Sequence, residues 1–187
     1  EMCIRDRGSP SPYADSAGAA PGPVCYDKGG KEPTLTDADL VLGYLSEDNF
    51  AGGSIRLNRE KSIESIRSLA KQLKMDEYEF AGGVTTIAEF QMADLIRKVT
   101  VQKGLDPRDF VVFAFGGAGP VHMGVTAREL GIKKVYIPFG DAAAVWCAFG
   151  AASADISHVN EKVKITSSPF EKDDLNSVSY THLRAHE

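Results

Sequence analysis

A chain of 187 residues, 43% apolar and 25% charged, is long enough for one ordinary domain and too apolar for wholesale disorder. Lys plus Arg number 21 against 26 for Asp plus Glu, a net −5 that disfavours a broad nucleic-acid-binding surface and leaves only a local basic groove open. No apolar run approaches the roughly 20 residues needed to span a bilayer, and the chain shows no basic, apolar, small-residue leader. Cys3, Cys25 and Cys147 are odd in number, far apart and without metal-ligand spacing, so neither a disulfide framework nor a zinc site is expected and a reducing compartment is the default.

The two ends, residues 1–7 and 176–187, have no periodicity linking them to their neighbours. They resemble translated adapter read-through and are set aside, with natural disordered tails as the alternative. From Gly8 to Lys31 runs a Gly, Pro, Ala and Ser-rich stretch that reads as an ordered loop or a linker. Thr36-Asp37 followed by Ala38, Leu40, Val41, Leu42 and Leu45 reads as a capped short helix. Asn58 can cap a second, amphipathic helix through Ile63, Ile66, Leu69, Ala70 and Leu73.

Asp76 can cap a longer helix reaching about Lys103, with Phe80, Val84, Ile87, Gln91, Leu95 and Val99 as its apolar stripe and Gly104 as its stop. Gly82-Gly83 disfavours that helix by about 1 kcal/mol each against Ala, so either a close helix crossing or a break is expected there. After the turn Asp106-Pro107-Arg108-Asp109, the apolar run Phe110–Phe115 reads as a strand buried on both faces. Gly116-Gly117-Ala118-Gly119 follows, then a helix from Pro120 to about Leu130 that Gly131 ends, then a strand over Lys133–Pro138. The order predicts a right-handed parallel crossover. Residues 141–154 read as a small-residue helix packed tightly, with Cys147 in a core, and a last strand is expected from about Asp155 to Ile165.

The glycine turn carries the chemistry. At a strand end and a helix start, backbone nearly free of side chains lets a ligand approach, and free N–H groups there favour an anion or a polar ring edge. The rival reading is a tight turn serving only close packing. A Walker A loop fails because Pro120-Val121 follows Gly119 where Lys-Ser/Thr is needed. A Rossmann fingerprint fits poorly, since His122 and Pro120 stand where small residues belong, although Asp141 lies about where a ribose-binding acid is expected. His122 is close enough in sequence to face a bound nucleotide, with a solvated or packed ring as the alternative. Cys25 reads as a buried structural thiol, and Asp37 as a helix cap rather than a ligand group.

Three stretches together resemble the hydantoinase A/oxoprolinase family, the ATP-dependent subunits of N-methylhydantoinases, 5-oxoprolinases and acetone-type carboxylases. They are SAGAAPGPVCY at 16–26 with Gly29-Gly30, PTLTDADLVLG at 33–43, and the segment from Asp106 through Phe115 and His122 to Gly131. The resemblance covers roughly residues 10–170. It implies an α/β fold, a fragment of an actin/hexokinase/Hsp70-like ATPase lobe with parallel strands and packed helices. Residues 8–175 would be part of the second lobe, with Gly116, Gly117, Ala118, Gly119 and His122 on the adenosine side of the site. It further implies ATP and Mg2+ held mainly by parts absent here, catalytic residues outside this segment, and a hydantoinase B-type partner. A cyclic amide or ketone substrate, an oligomer and a cytoplasmic setting complete that expectation. Val24, Asp27 and Lys28 depart from the family's usual Ala and Gly-Arg, which puts an anion role for that loop in doubt. Residues 139–150 and 154–158 look more like the carboxylase branch. A non-catalytic interaction lobe and a dinucleotide oxidoreductase are the rival functions.

Overall fold

In the computed structural model, residues 16–138 and 142–155 are described. The chain divides into two units, residues 1–144 and 145–187. In the first, local signals in the sequence set the helix starts. Thr34 precedes α1 (Leu35–Val41), two residues earlier than Thr36 would place it, and the Asp37 carboxylate reaches back to the Thr34 N–H at 2.8 Å as in a capping box. Asn58 caps α2 (Arg59–Ala70) by accepting from the Lys61 N–H at 3.2 Å, and Asp76 caps α3 (Glu77–Val101) by accepting from the N–H groups of Tyr78 and Glu79. Asp106 opens the turn Pro107–Asp109, and the Arg108 guanidinium beside it holds its carboxyl down to about 2.

Packing begins where α1, α2 and the first half of α3 meet. Ala38, Val41, Ile66, Ala70, Phe80 and Ala81 form one buried cluster, and a fully buried residue such as Ile66 contributes about 1.5–3 kcal/mol. The second half of α3 packs on α4 (Gly119–Leu130) through Ala93, Ala127, Leu130 and Ile132. The expected α3 stripe is therefore rotated. Phe80 is buried, but Ile87, Leu95 and Val99 are exposed, and the inward face is built from Ala81, Thr85, Ala88 and Ala93. Small side chains let the neighbouring helices come close, and a count of large apolar residues does not register that face.

Helix α3 runs unbroken through Gly82-Gly83, and a Cβ added to either glycine would meet nothing within 4 Å. Neither a close crossing nor a break is found at that pair. Gly82→Ala and Gly83→Ala are each expected to stabilise the chain by about 1 kcal/mol, read as a rise in the urea midpoint. A fall in the midpoint would show that an unseen neighbour needs the space.

Strands β1 (Val112–Phe113) and β2 (Val135–Tyr136) pair in parallel, Val112 opposite Val135 and Phe113 opposite Tyr136, with α4 between them in sequence. The expected strand–turn–helix–strand order is present, but both strands are shorter than expected. The apolar run is also not buried on both faces: Phe110, Val111, Phe113 and Phe115 are exposed, because among the described residues β2 is the only strand beside β1. The described residues are thus mostly helical with two parallel strands.

Helix α5 (Ala142–Ser153) runs into the second unit, where the Trp146 and Phe149 rings stack 5.3 Å apart. The tight packing expected for this helix is not found: Val145, Cys147 and Phe149 are exposed. The two suspect ends and residues 156–165 of the last expected strand lie outside the described residues. Among those residues no helix is long and apolar enough to cross a membrane.

Candidate functional site

Strand β1 delivers the chain to the glycine turn, and Ala114 is its last buried residue. Gly116 has φ +76°, a left-handed conformation that glycine adopts without steric cost, and its N–H donates to the Ala143 carbonyl at 3.3 Å. Gly116, Gly117 and Ala118 are exposed, and Gly119 is half-buried as the first residue of α4. Among the described residues, a Cβ at Gly116 or Gly117 would meet nothing within 4 Å. Pro120 occupies the first turn of α4, where its missing N–H costs nothing.

His122 does not face that turn. Its ring is fully buried where α4 meets α1 and α3, with Nε2 3.2 Å from Asp39 Oδ2 and Nδ1 3.6 Å from Glu89 Oε1. Both contacts lie within ion-pair distance, yet neither ring nitrogen has hydrogen-bond geometry, and Asp39 Oδ1 and Thr85 Oγ1 are likewise unpartnered. The Asp39 carboxylate raises the imidazole pKa most, burial opposes it, and Glu89 adds to the rise. Asp39 and Glu89 were not singled out by sequence. The available signal for Glu89 was a charged residue set among the small residues of the inner α3 face.

Asp37 is a second buried carboxylate, and it organises the loop over residues 22–26. It accepts from the N–H groups of Val24, Cys25 and Thr34 at 3.2, 2.8 and 2.8 Å, from Thr34 Oγ1 at 3.0 Å and from Ser62 Oγ at 2.6 Å. This places Asp37 at a helix start as expected, with far more partners than a cap alone. Cys25 is fully buried beside it, and burial together with the Asp37 charge pushes the thiol pKa up, so the thiolate a nucleophile needs is disfavoured. Asp27 pairs with Lys61 and is held in its charged form by that partner. The loop's departures at 27 and 28 therefore make intramolecular contacts, with the Lys28 ammonium 5.9 Å above the Tyr26 ring. Among the described residues no group of three His, Cys, Asp or Glu side chains is arranged to hold a metal ion.

A family model described as hydantoinase/oxoprolinase matches residues 11–160. This chain belongs to the hydantoinase/oxoprolinase family. It is 46% identical over 160 residues to the caprolactamase alpha subunit of Pseudomonas jessenii, covering 85% of this chain and 22% of that protein. It is 45% identical over 148 residues to the acetophenone carboxylase gamma subunit of Aromatoleum aromaticum, covering 79% of this chain and 20% of that one. Among solved structures, the ATP-dependent caprolactamase of P. jessenii matches with a TM-score of 0.76 at 40% identity, over 97% of this chain and 26% of that one. The nucleotide-free structure of acetone carboxylase matches with a TM-score of 0.68 at 34% identity, over 90% and 24%. The chain thus spans about a fifth of the length of the curated relatives it matches. The caprolactamase and acetophenone carboxylase subunits are similar to it at 46% and 45% identity.

Proposed function

We propose that this chain is part of the ATP-using subunit of a hydantoinase/oxoprolinase-family enzyme and contributes the adenosine side of its nucleotide site. The observation that carries this reading is the open glycine turn. The exposed backbone leading into α4 carries no side chain at Gly116 or Gly117, which suits the close approach of a flat ring. In this reading residues 8–175 belong to the second lobe of an actin-like ATPase. The acids that hold Mg2+ and the catalytic residues then lie in other parts of the subunit. ATP, when bound, would supply the phosphoryl group that activates an amide oxygen, an enolate or bicarbonate.

The proposal extends to a substrate that is a cyclic amide or a ketone, and to a hydantoinase B-type partner within an oligomeric enzyme. Caprolactamase subunit alpha and the acetophenone carboxylase gamma subunit are each named as one subunit of an enzyme, which supports a partner subunit here. A cytoplasmic setting fits a chain whose Cys25 is a reduced, buried thiol.

Gly117→Val tests the site directly. The valine side chain enters open space at a φ that L residues tolerate, so folding is unaffected while the approach of a ring is blocked. In the complete subunit that carries this segment, the variant is expected to weaken ATP binding by about tenfold or more, or about 1.4 kcal/mol, with an unchanged Tm. The 187-residue chain alone is expected to show no metal-dependent ATP hydrolysis. Unchanged ATP affinity in the folded variant, or turnover by the isolated chain, would overturn the assignment.

A further inference from the structure

We infer that His122 is a positioning residue: its ring, held between Asp39 of α1 and Glu89 of α3, fixes the first turn of α4 and so the aim of the Gly116–Gly119 turn. This rests on the adenosine-side reading of that turn. The link from ring to turn is short and covalently direct. His122 lies three residues past Gly119, and the N–H groups of Val121 and His122 both donate to the Ala118 carbonyl, at 3.2 and 3.4 Å. A displacement of the ring therefore moves Ala118, and with it Gly117 and Gly119 on either side.

The two carboxylates address opposite nitrogens of one ring. They do not converge on a point that a cation could occupy, and a metal role is not what the geometry offers. A neutral imidazole has one N–H and one lone pair, so it can satisfy one carboxylate while turning a lone pair toward the other. Only the doubly protonated ring attracts both. From α1 the charged group acting on the ring is Asp39, and from α3 it is Glu89. Opposite charges on both sides favour the imidazolium despite burial, which agrees with the upward direction of the His122 pKa. The sign of the linkage follows. A ring whose folded pKa is raised stabilises the fold fully below its unfolded value of about 6.5, and that contribution is lost as pH rises through the folded pKa.

Two measurements test the inference. In the full chain labelled with 15N-histidine, H122Q identifies the His122 signals, and the titration midpoint is expected above the ordinary histidine value. E89Q keeps the side-chain volume and removes one charge, and it is expected to move that midpoint down. A midpoint at or below the ordinary histidine value, or one indifferent to E89Q, overturns the clamp. In the complete subunit, the KM for ATP is expected to rise as pH passes through the same midpoint, and E89Q is expected to shift that rise to lower pH with little change in kcat. A KM that ignores the ring's titration overturns the positioning role even if stability follows it. Absence of any ATP binding by the wild-type subunit would instead overturn the nucleotide reading, and the positioning role with it, while the histidine spectrum still reports on the clamp.

Discussion

Asp37→Ala is expected to lower the unfolding free energy by about 3 to 5 kcal/mol, enough to leave the chain largely unfolded if its total stability is ordinary. The substitution strands five donors in a dry region: three backbone N–H groups, the Thr34 hydroxyl and the Ser62 hydroxyl. Hydrogen bonds to a charged acceptor contribute about 1.5–3 kcal/mol each, and buried donors left without partners carry their full desolvation cost. These bonds join three pieces of chain, the 22–26 loop, the start of α1 and the inner face of α2, so no single element can relax to recover them. Asp37→Asn keeps one carbonyl oxygen and is expected to lose roughly half as much. Urea unfolding followed by far-UV circular dichroism reads both, and a loss below about 1 kcal/mol for the alanine variant would show that water replaces the carboxylate.

Gly30→Ala should cost about 3 kcal/mol, the upper end of the range for overpacking a rigid site. An added Cβ would overlap the Gly22 carbonyl oxygen and lie 2.9 Å from that of Pro23, and both neighbours are backbone that cannot swing aside as a side chain could. The sign is opposite to that expected at Gly82 and Gly83, where the same methyl enters empty space within a helix. Thermal unfolding of the three single variants side by side gives the comparison: a Tm for Gly30→Ala equal to or above the wild type would mean that the loop moves away at little cost.

Helix starts were legible because their signals are local. Asn58, Asp76 and Asp106 each bond to N–H groups two or three residues ahead, and such contacts need no knowledge of the rest of the fold. The ends of α4 at Pro120 and Gly131 were legible for the same reason. The facing of α3 was not, because its inner side is made of Ala and Thr and its large apolar residues look outward. The burial of Phe110–Phe115 and of α5 was overestimated, since apolar composition states a demand for cover and not whether the neighbouring chain supplies it. Within the candidate site, the open turn followed from its composition. The Asp39–His122–Glu89 arrangement joins residues 39, 89 and 122, and no spacing rule connects positions that far apart on three helices.

The uncovered stretch from Phe110 to Phe115 has a bearing on how this chain behaves in a test tube. Six consecutive apolar or aromatic residues, free of charge and proline, run through β1, and four of them are exposed. Segments of that kind template the stacking of identical strands from other molecules, the geometry of cross-β fibrils. Concentrating the isolated 187-residue polypeptide thus brings copies of a self-templating segment together, and a charged gatekeeper in place of Val111, which is solvent-facing, is the least invasive remedy.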